Sequence, residues 1–79
     1  MDSISGVITV KKENIGSKSE GCYSYLVSDS MDTIYRLYRK DVYDANDSYL
    51  MGFNRKEVRV YGEIQQENWL MVEKIEEFT

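Results

Sequence analysis

The sequence predicts a small all-β protein built as a single antiparallel β-barrel. Two observations predict it: short β-branched and aromatic runs are separated by turn residues, and one run, Glu57–Gln65, alternates between apolar and polar side chains. Hydrophobic residues make up 42% of the 79 residues, which is enough for a packed core. No proline, repeat or linker divides the chain, so we expect one domain over residues 1–79.

Three strands are predicted in the first half of the chain. Ile4–Val10 is β-branched and apolar, and Gly6 within it suggests a bulge or a close approach of two backbones. The polar segment Lys11–Gly21 is expected to form a loop. Cys22–Ser28 and Thr33–Arg39 are separated by four turn residues, which predicts a hairpin.

A short helix is predicted at Asp47–Phe53, because cap-forming residues precede apolar residues at helical spacing. Asp44, Asn46 and Ser48 also occupy the first, third and fifth positions of a calcium-binding loop. The glycine and the bidentate glutamate that such a loop requires are missing, so we favour helix capping.

Two strands are predicted in the last third. The first, Glu57–Gln65, has an apolar inner face. That face carries Val58, Val60 and Ile64. In the second, Trp69–Phe78, Ile75 breaks the alternation by one residue. We therefore expect a β-bulge near Glu73 or Lys74, which would turn Ile75 and Phe78 inward.

The last two strands read V-x-V-x-G-x-I and L-x-V-x-x-I, and a glycine interrupts the first strand. The residues of this pattern are Gly6, Tyr35, Leu37, Val58, Val60, Gly62, Ile64, Leu70, Val72 and Ile75. With the order of elements, the pattern resembles the small OB-fold domains of bacteria, five-stranded Greek-key barrels with one short helix between strands 3 and 4. OB-folds bind oligonucleotides, oligosaccharides or proteins, so the resemblance implies binding without naming the ligand.

The residues available for chemistry are few. The chain has no histidine, which removes imidazole acid/base catalysis and most zinc sites. Cys22 is the only cysteine, so it forms no internal disulfide, and we expect it to be buried and inert. We therefore expect no enzymatic activity, no cofactor and no metal.

The tyrosines supply the candidate binding surface. In the third strand we assign Tyr35 and Leu37 to the core, which places Arg36 and Tyr38 outside, where an aromatic ring beside a guanidinium can stack a base or fill a protein hot spot. The sequence does not determine which side of the second strand faces the core: either its tyrosines or Leu26 point inward. The candidate ligand- or partner-binding residues are Tyr23, Tyr25, Arg36, Tyr38, Arg39, Arg59, Tyr61 and Trp69.

Three functions compete. We favour a protein-interaction module that binds a protein partner or a second copy of itself, because the chain is small, acidic at net charge −4 and rich in tyrosine. The alternative is single-stranded nucleic-acid binding through the basic residues between Arg36 and Arg59. A third is a small acidic inhibitor that imitates nucleic acid. No export signal or membrane span is apparent, so we expect a cytoplasmic protein that binds no membrane.

Overall fold

A computed structural model describes residues 1–13, 16, 21–30, 32–40, 42 and 46–78. Its elements confirm the predicted all-β class with one short α-helix between the third and fourth strands. In chain order they are β1 (Asp2–Glu13), β2 (Gly21–Ser28), β3 (Ile34–Arg39), α1 (Ser48–Met51), β4 (Glu57–Ile64), a 3-10 turn (Gln66–Asn68) and β5 (Trp69–Glu77).

The five strands form one sheet that closes on itself in the order β1-β2-β3-β5-β4. Four of the strand pairs are antiparallel, whereas β3 and β5 run parallel, which the prediction of an antiparallel barrel had not included. The long strand β1 closes the ring. Its residues 2–7 pair with β4 and its residues 6–13 pair with β2.

The loop predicted at Lys11–Gly21 is too long. Lys11, Lys12 and Glu13 continue β1, and Glu13 pairs with Gly21 at the first position of β2. The polar side chains of Lys11, Lys12 and Glu13 are typical of a loop, so the sequence pattern did not predict a strand there, although their backbone pairs with β2. Of the residues between β1 and β2, only Gly16 lies within the described part of the chain.

The core is a set of aliphatic side chains from all five strands and the helix. It consists of Ile8, Leu26, Leu37, Leu50, Val58, Val60, Leu70, Val72 and Ile75. Leu26 has no exposed surface, which resolves the facing of β2: Leu26 points inward, and Tyr23 and Tyr25 lie on the outer face. Tyr35 packs against the core beside Leu37, as predicted.

The predicted bulge lies at Glu73. Tyr61 pairs with Lys74 and Gly62 pairs with Val72, which leaves Glu73 without a partner and brings Ile75 into the core. Phe78, expected inside, is instead 47% exposed because it follows the last residue of β5. Ile64 is likewise 43% exposed at the end of β4. Both corrections have the same cause, since alternation cannot show where a strand leaves the core.

Two glycines allow neighbouring strands to approach closely. A Cβ on Gly6 would lie 2.1 Å from the carbonyl oxygen of Val27, and a Cβ on Gly62 would lie 1.8 Å from that of Met71. The close backbone approach expected at Gly6 is therefore present. Gly62 sits where the bulge shifts the register between β4 and β5.

Helix α1 is shorter than the predicted Asp47–Phe53. It spans Ser48–Met51, between the N-cap Asp47 and the C-cap Gly52, and Leu50 is its one buried residue. Asn46 accepts a hydrogen bond from the backbone N–H of Cys22 at 2.9 Å. Asp44 lies outside the described residues. Cys22, predicted to be buried, is only half-buried, because it lies near the beginning of β2.

Candidate binding surface

Arg36 occupies the middle of the outer face of the sheet. Strand β3 lies between β2 and β5, so an outward residue on β3 has outward neighbours on both sides. Leu37 pairs with Leu70, and both side chains are buried. Arg36 and its register partner Trp69 therefore point outward together.

Two tyrosines complete this surface. Tyr38 follows Arg36 on the same face of β3, and Tyr23 lies on β2 two residues from Tyr25, the register partner of Arg36. We call Tyr23, Arg36, Tyr38 and Trp69 the aromatic–arginine cluster. All four side chains are half-buried.

The Arg36 guanidinium lies between two aromatic rings. Its central carbon is 4.3 Å from the ring centre of Tyr23 and 4.6 Å from that of Trp69. Both distances are well within the range of cation–π attraction, which is about 6 Å. The rings come from the strands on either side of β3, so the sheet itself holds the guanidinium in place.

The Trp69 ring is fixed in turn by Tyr38. The two rings meet edge to face, with their centres 5.7 Å apart and their planes at 71°. The Tyr38 hydroxyl donates a hydrogen bond to the side-chain oxygen of Gln65. Gln65 lies in the connection between β4 and β5, so this contact ties the β4–β5 turn to the cluster. The cluster is thus organised before any ligand arrives.

Arg39 is held by the helix N-cap. Its Nε lies 2.7 Å from one carboxylate oxygen of Asp47, and its Nη2 lies 2.8 Å from the other. Burial opposes ionisation of Asp47, but the hydrogen bonds from Arg39 and from the backbone N–H groups of Leu50 and Tyr49 outweigh it, so the pKa of the Asp47 carboxyl is lowered. The same pair raises the pKa of Arg39. Its guanidinium lies over the Tyr49 ring at 4.6 Å.

A groove of about 300 Å³ runs beside the cluster. It lies where β2 and β3 no longer pair, since their register covers only Tyr25–Val27 against Ile34–Arg36. Its lining combines the cluster, the Arg39–Asp47 ion pair and aliphatic side chains. The residues are Tyr23, Ser24, Arg36, Leu37, Tyr38, Arg39, Val42, Asp47, Leu50 and Trp69. The site therefore offers an apolar floor beside two stacked arginines, one of which is paired with Asp47.

Five of the eight predicted site residues line this groove, and three do not. Tyr25 donates a hydrogen bond from its hydroxyl to Glu13, and burial together with that bond raises the pKa of Tyr25. The other two are on β4. Arg59 lies over the Phe78 ring at 5.6 Å, and Tyr61 lies 5.8 Å from the Lys74 ammonium. None of the three lines the groove.

Several lining or supporting residues were not predicted as part of the site, among them Asp47, Leu50, Val42 and Gln65. Asp47 was recognised as part of a capping segment but not as the partner of Arg39. Leu50 had been noted only as an apolar helix residue, and no pattern marked Val42 or Gln65. Helical periodicity could have identified Leu50, whereas the other contacts depend on the approach of distant segments.

The basic residues do not form one stripe. Arg39 is neutralised by Asp47, and Lys56 pairs with Glu77 at 3.3 Å. Arg59 lies on β4, which neighbours β5 and β1 rather than β3. Within the part of the chain that the structure describes, Arg36 is the one groove cation without an anionic partner.

No described segment forms a helix long and apolar enough to cross a membrane. Across residues 1–13, 16, 21–30, 32–40, 42 and 46–78, no group of three or more histidine, cysteine, aspartate or glutamate side chains is placed to hold a metal ion. Comparison with protein-family models, with curated proteins and with solved structures found no match.

Proposed function

We propose that this chain is a non-enzymatic OB-fold binding module that recognises a protein partner through the aromatic–arginine cluster. The strand order, the parallel β3–β5 pair and the helix between β3 and β4 support the OB assignment. In OB-folds, ligands lie on the face of strands 2 and 3 and on the loops between strands 1 and 2 and between strands 4 and 5. The cluster occupies that face, and Gln65 of the β4–β5 turn contacts it.

The observation that carries the proposal is the pre-ordered cluster of one arginine, one tryptophan and two tyrosines. Tryptophan, tyrosine and arginine are enriched among the residues that dominate the binding energy of protein interfaces. Ring contacts at 4.3, 4.6 and 5.7 Å already restrict these side chains. Binding therefore loses less side-chain entropy than a surface of free rotamers would.

Single-stranded nucleic acid is the second candidate, favoured by the position of Arg36 on the OB ligand face. Two observations rank it lower. Arg36 covers one face each of Tyr23 and Trp69, which removes stacking surface that bases would need. The scattered and paired basic residues also leave few phosphate contacts, on a chain whose net charge is −4.

A site-specific crosslink tests the proposal directly. A photoreactive phenylalanine analogue replaces Tyr38 in the cluster, and the matched control replaces Tyr61, an outward tyrosine on β4 outside the groove. After irradiation in cells of the source organism, we expect a nuclease-resistant protein adduct at position 38 and none at position 61. A nuclease-sensitive adduct at position 38 would favour the nucleic-acid function, and equal adducts at both positions would contradict the proposed surface.

An oligonucleotide titration separates the two candidates in purified form. A labelled mixed-sequence single strand is titrated at low and at physiological salt. A protein-binding module predicts no saturable binding at physiological salt. Binding that persists there and is lost in Tyr38→Ala would contradict the proposal, because a stacked base contributes roughly 1–3 kcal/mol.

A further inference from the structure

Resting on the proposed function, we propose that the partner presents a carboxylate to Arg36 and places a neighbouring apolar side chain in the groove. The ligand is a peptide segment with an aspartate or glutamate beside an apolar residue.

Among the described residues, the Arg36 guanidinium contacts two aromatic rings and no hydrogen-bond acceptor. Tyr23 and Trp69 cover the π surface at 4.3 and 4.6 Å. Among the described residues, no carboxylate or other acceptor is bonded to this guanidinium. A guanidinium carries five N–H donors in a planar fork, and these remain for a ligand.

Arg39 provides an internal comparison. It is also stacked on an aromatic ring, Tyr49, at 4.6 Å. Its fork is filled by both oxygens of Asp47, at 2.7 and 2.8 Å. Two stacked arginines therefore line the same groove, and Arg39 shows that a stacked guanidinium there binds a carboxylate through its fork. By analogy, Arg36 is suited to a carboxylate of the ligand.

Charge and shape favour a carboxylate on a peptide over a phosphate chain. Of the two groove arginines, Arg36 has no anionic partner among the described residues, which matches one anionic group rather than a repeating backbone. The planar fork fits a carboxylate with two parallel hydrogen bonds. The aliphatic floor formed by Leu37, Val42 and Leu50 lies beside it, so an apolar side chain next to the acidic residue would be buried there.

The experiment selects peptides from a phage-displayed random 12-residue library on the wild-type protein. Each enriched peptide is synthesised with its acidic residue and with the isosteric amide, Glu→Gln or Asp→Asn. Affinities are measured by fluorescence anisotropy on wild type, Arg36→Gln, Arg36→Lys and Arg59→Gln. Arg59 is the matched control, because it is an outward arginine over an aromatic ring but lies outside the groove.

We expect enriched peptides to share an acidic residue beside an apolar one. The amide peptide should bind roughly tenfold or more weakly to wild type, since a hydrogen-bonded charge is lost. Arg36→Gln should abolish this preference for the acid. Arg36→Lys should restore only part of it, because lysine keeps the charge without the fork. Arg59→Gln should leave both affinities within about twofold of wild type.

Each other outcome overturns a defined part of the argument. Peptides that lack acidic residues, or that bind Arg36→Gln as well as wild type, would overturn the carboxylate inference and leave the proposed function standing. Failure to enrich any peptide would count against the proposed function itself. Oligonucleotide binding lost in Arg36→Gln would reassign this arginine to phosphate.

Discussion

Alanine at Gly62 would place a methyl group against the backbone of the neighbouring strand. Its Cβ would lie 1.8 Å from the carbonyl oxygen of Met71 and 2.9 Å from the carbonyl carbon. Carbon and oxygen atoms in contact across a sheet are about 3.3 Å apart or more. Strands β4 and β5 would therefore have to separate by roughly 1.5 Å, and no flexible side chain can move aside instead.

The expected cost is at or above the upper end of the usual range for overpacking, about 3 kcal/mol. A single core in a domain this small rarely supplies more than about 3–5 kcal/mol, so Gly62→Ala should leave a large fraction unfolded. With a urea dependence near 1 kcal/mol per molar, the midpoint of unfolding should fall by about 3 M. Urea titration followed by circular dichroism measures this shift.

Gly52→Ala is the matched control. Gly52 has helical backbone angles, φ −64° and ψ −15°, and a Cβ there would lie 3.4 Å from the nearest atom, the carbonyl oxygen of Tyr49. Alanine should be neutral or stabilise by up to about 1 kcal/mol, because it restricts the unfolded chain. Equal midpoints for the two variants would refute the close approach of β4 and β5 at Gly62.

Three further predictions concern one core residue, one ion pair and one tyrosine. Val60→Ala should cost about 2–3 kcal/mol in urea unfolding, because Val60 is fully buried, whereas Arg59→Ala should cost less than about 0.5 kcal/mol; equal costs would mean that the facing of β4 is wrong. Asp47→Asn should be less stable than wild type at neutral pH. The difference should shrink as pH falls from the ordinary carboxyl value of 3.8 through the lowered pKa of Asp47 in the folded protein, because only there does folded Asp47 lose its charge; a gap independent of pH would contradict the Arg39 pairing. In an absorbance titration, Tyr25 should ionise above pH 10.0, and Tyr25→Phe should remove that late step; its persistence would contradict the burial and the Glu13 contact.

Local sequence patterns predicted the strands and one irregularity within them. The shift of Ile75 by one residue in an alternating run predicts an extra residue, and Glu73 is that residue. The same patterns could not show where each strand leaves the core. Ile64 and Phe78 continue the apolar phase, yet they lie beyond the rim of the core, where alternation carries no information.

The candidate site could be predicted only in its composition. Arg36 and Tyr38 follow from the facing of one strand, but the approach of Trp69 requires the parallel register between β3 and β5. The Arg39–Asp47 pair requires the chain to return from the end of β3 to the start of the helix. Such contacts join segments that are distant in the chain, and no local pattern fixes their register. The sequence therefore could not show that Arg36 lines the groove and Arg59 does not.

Trp69 is the only tryptophan, so its fluorescence reports directly on the aromatic–arginine cluster. The decisive measurement titrates the selected acidic peptide and a mixed-sequence single strand separately into the unlabelled protein at physiological salt. We predict a saturable change in Trp69 emission with the peptide, absent in Arg36→Gln, and no saturable change with the oligonucleotide. A peptide that binds by calorimetry without changing Trp69 emission, or an oligonucleotide that saturates it, would contradict recognition of a protein partner at this surface.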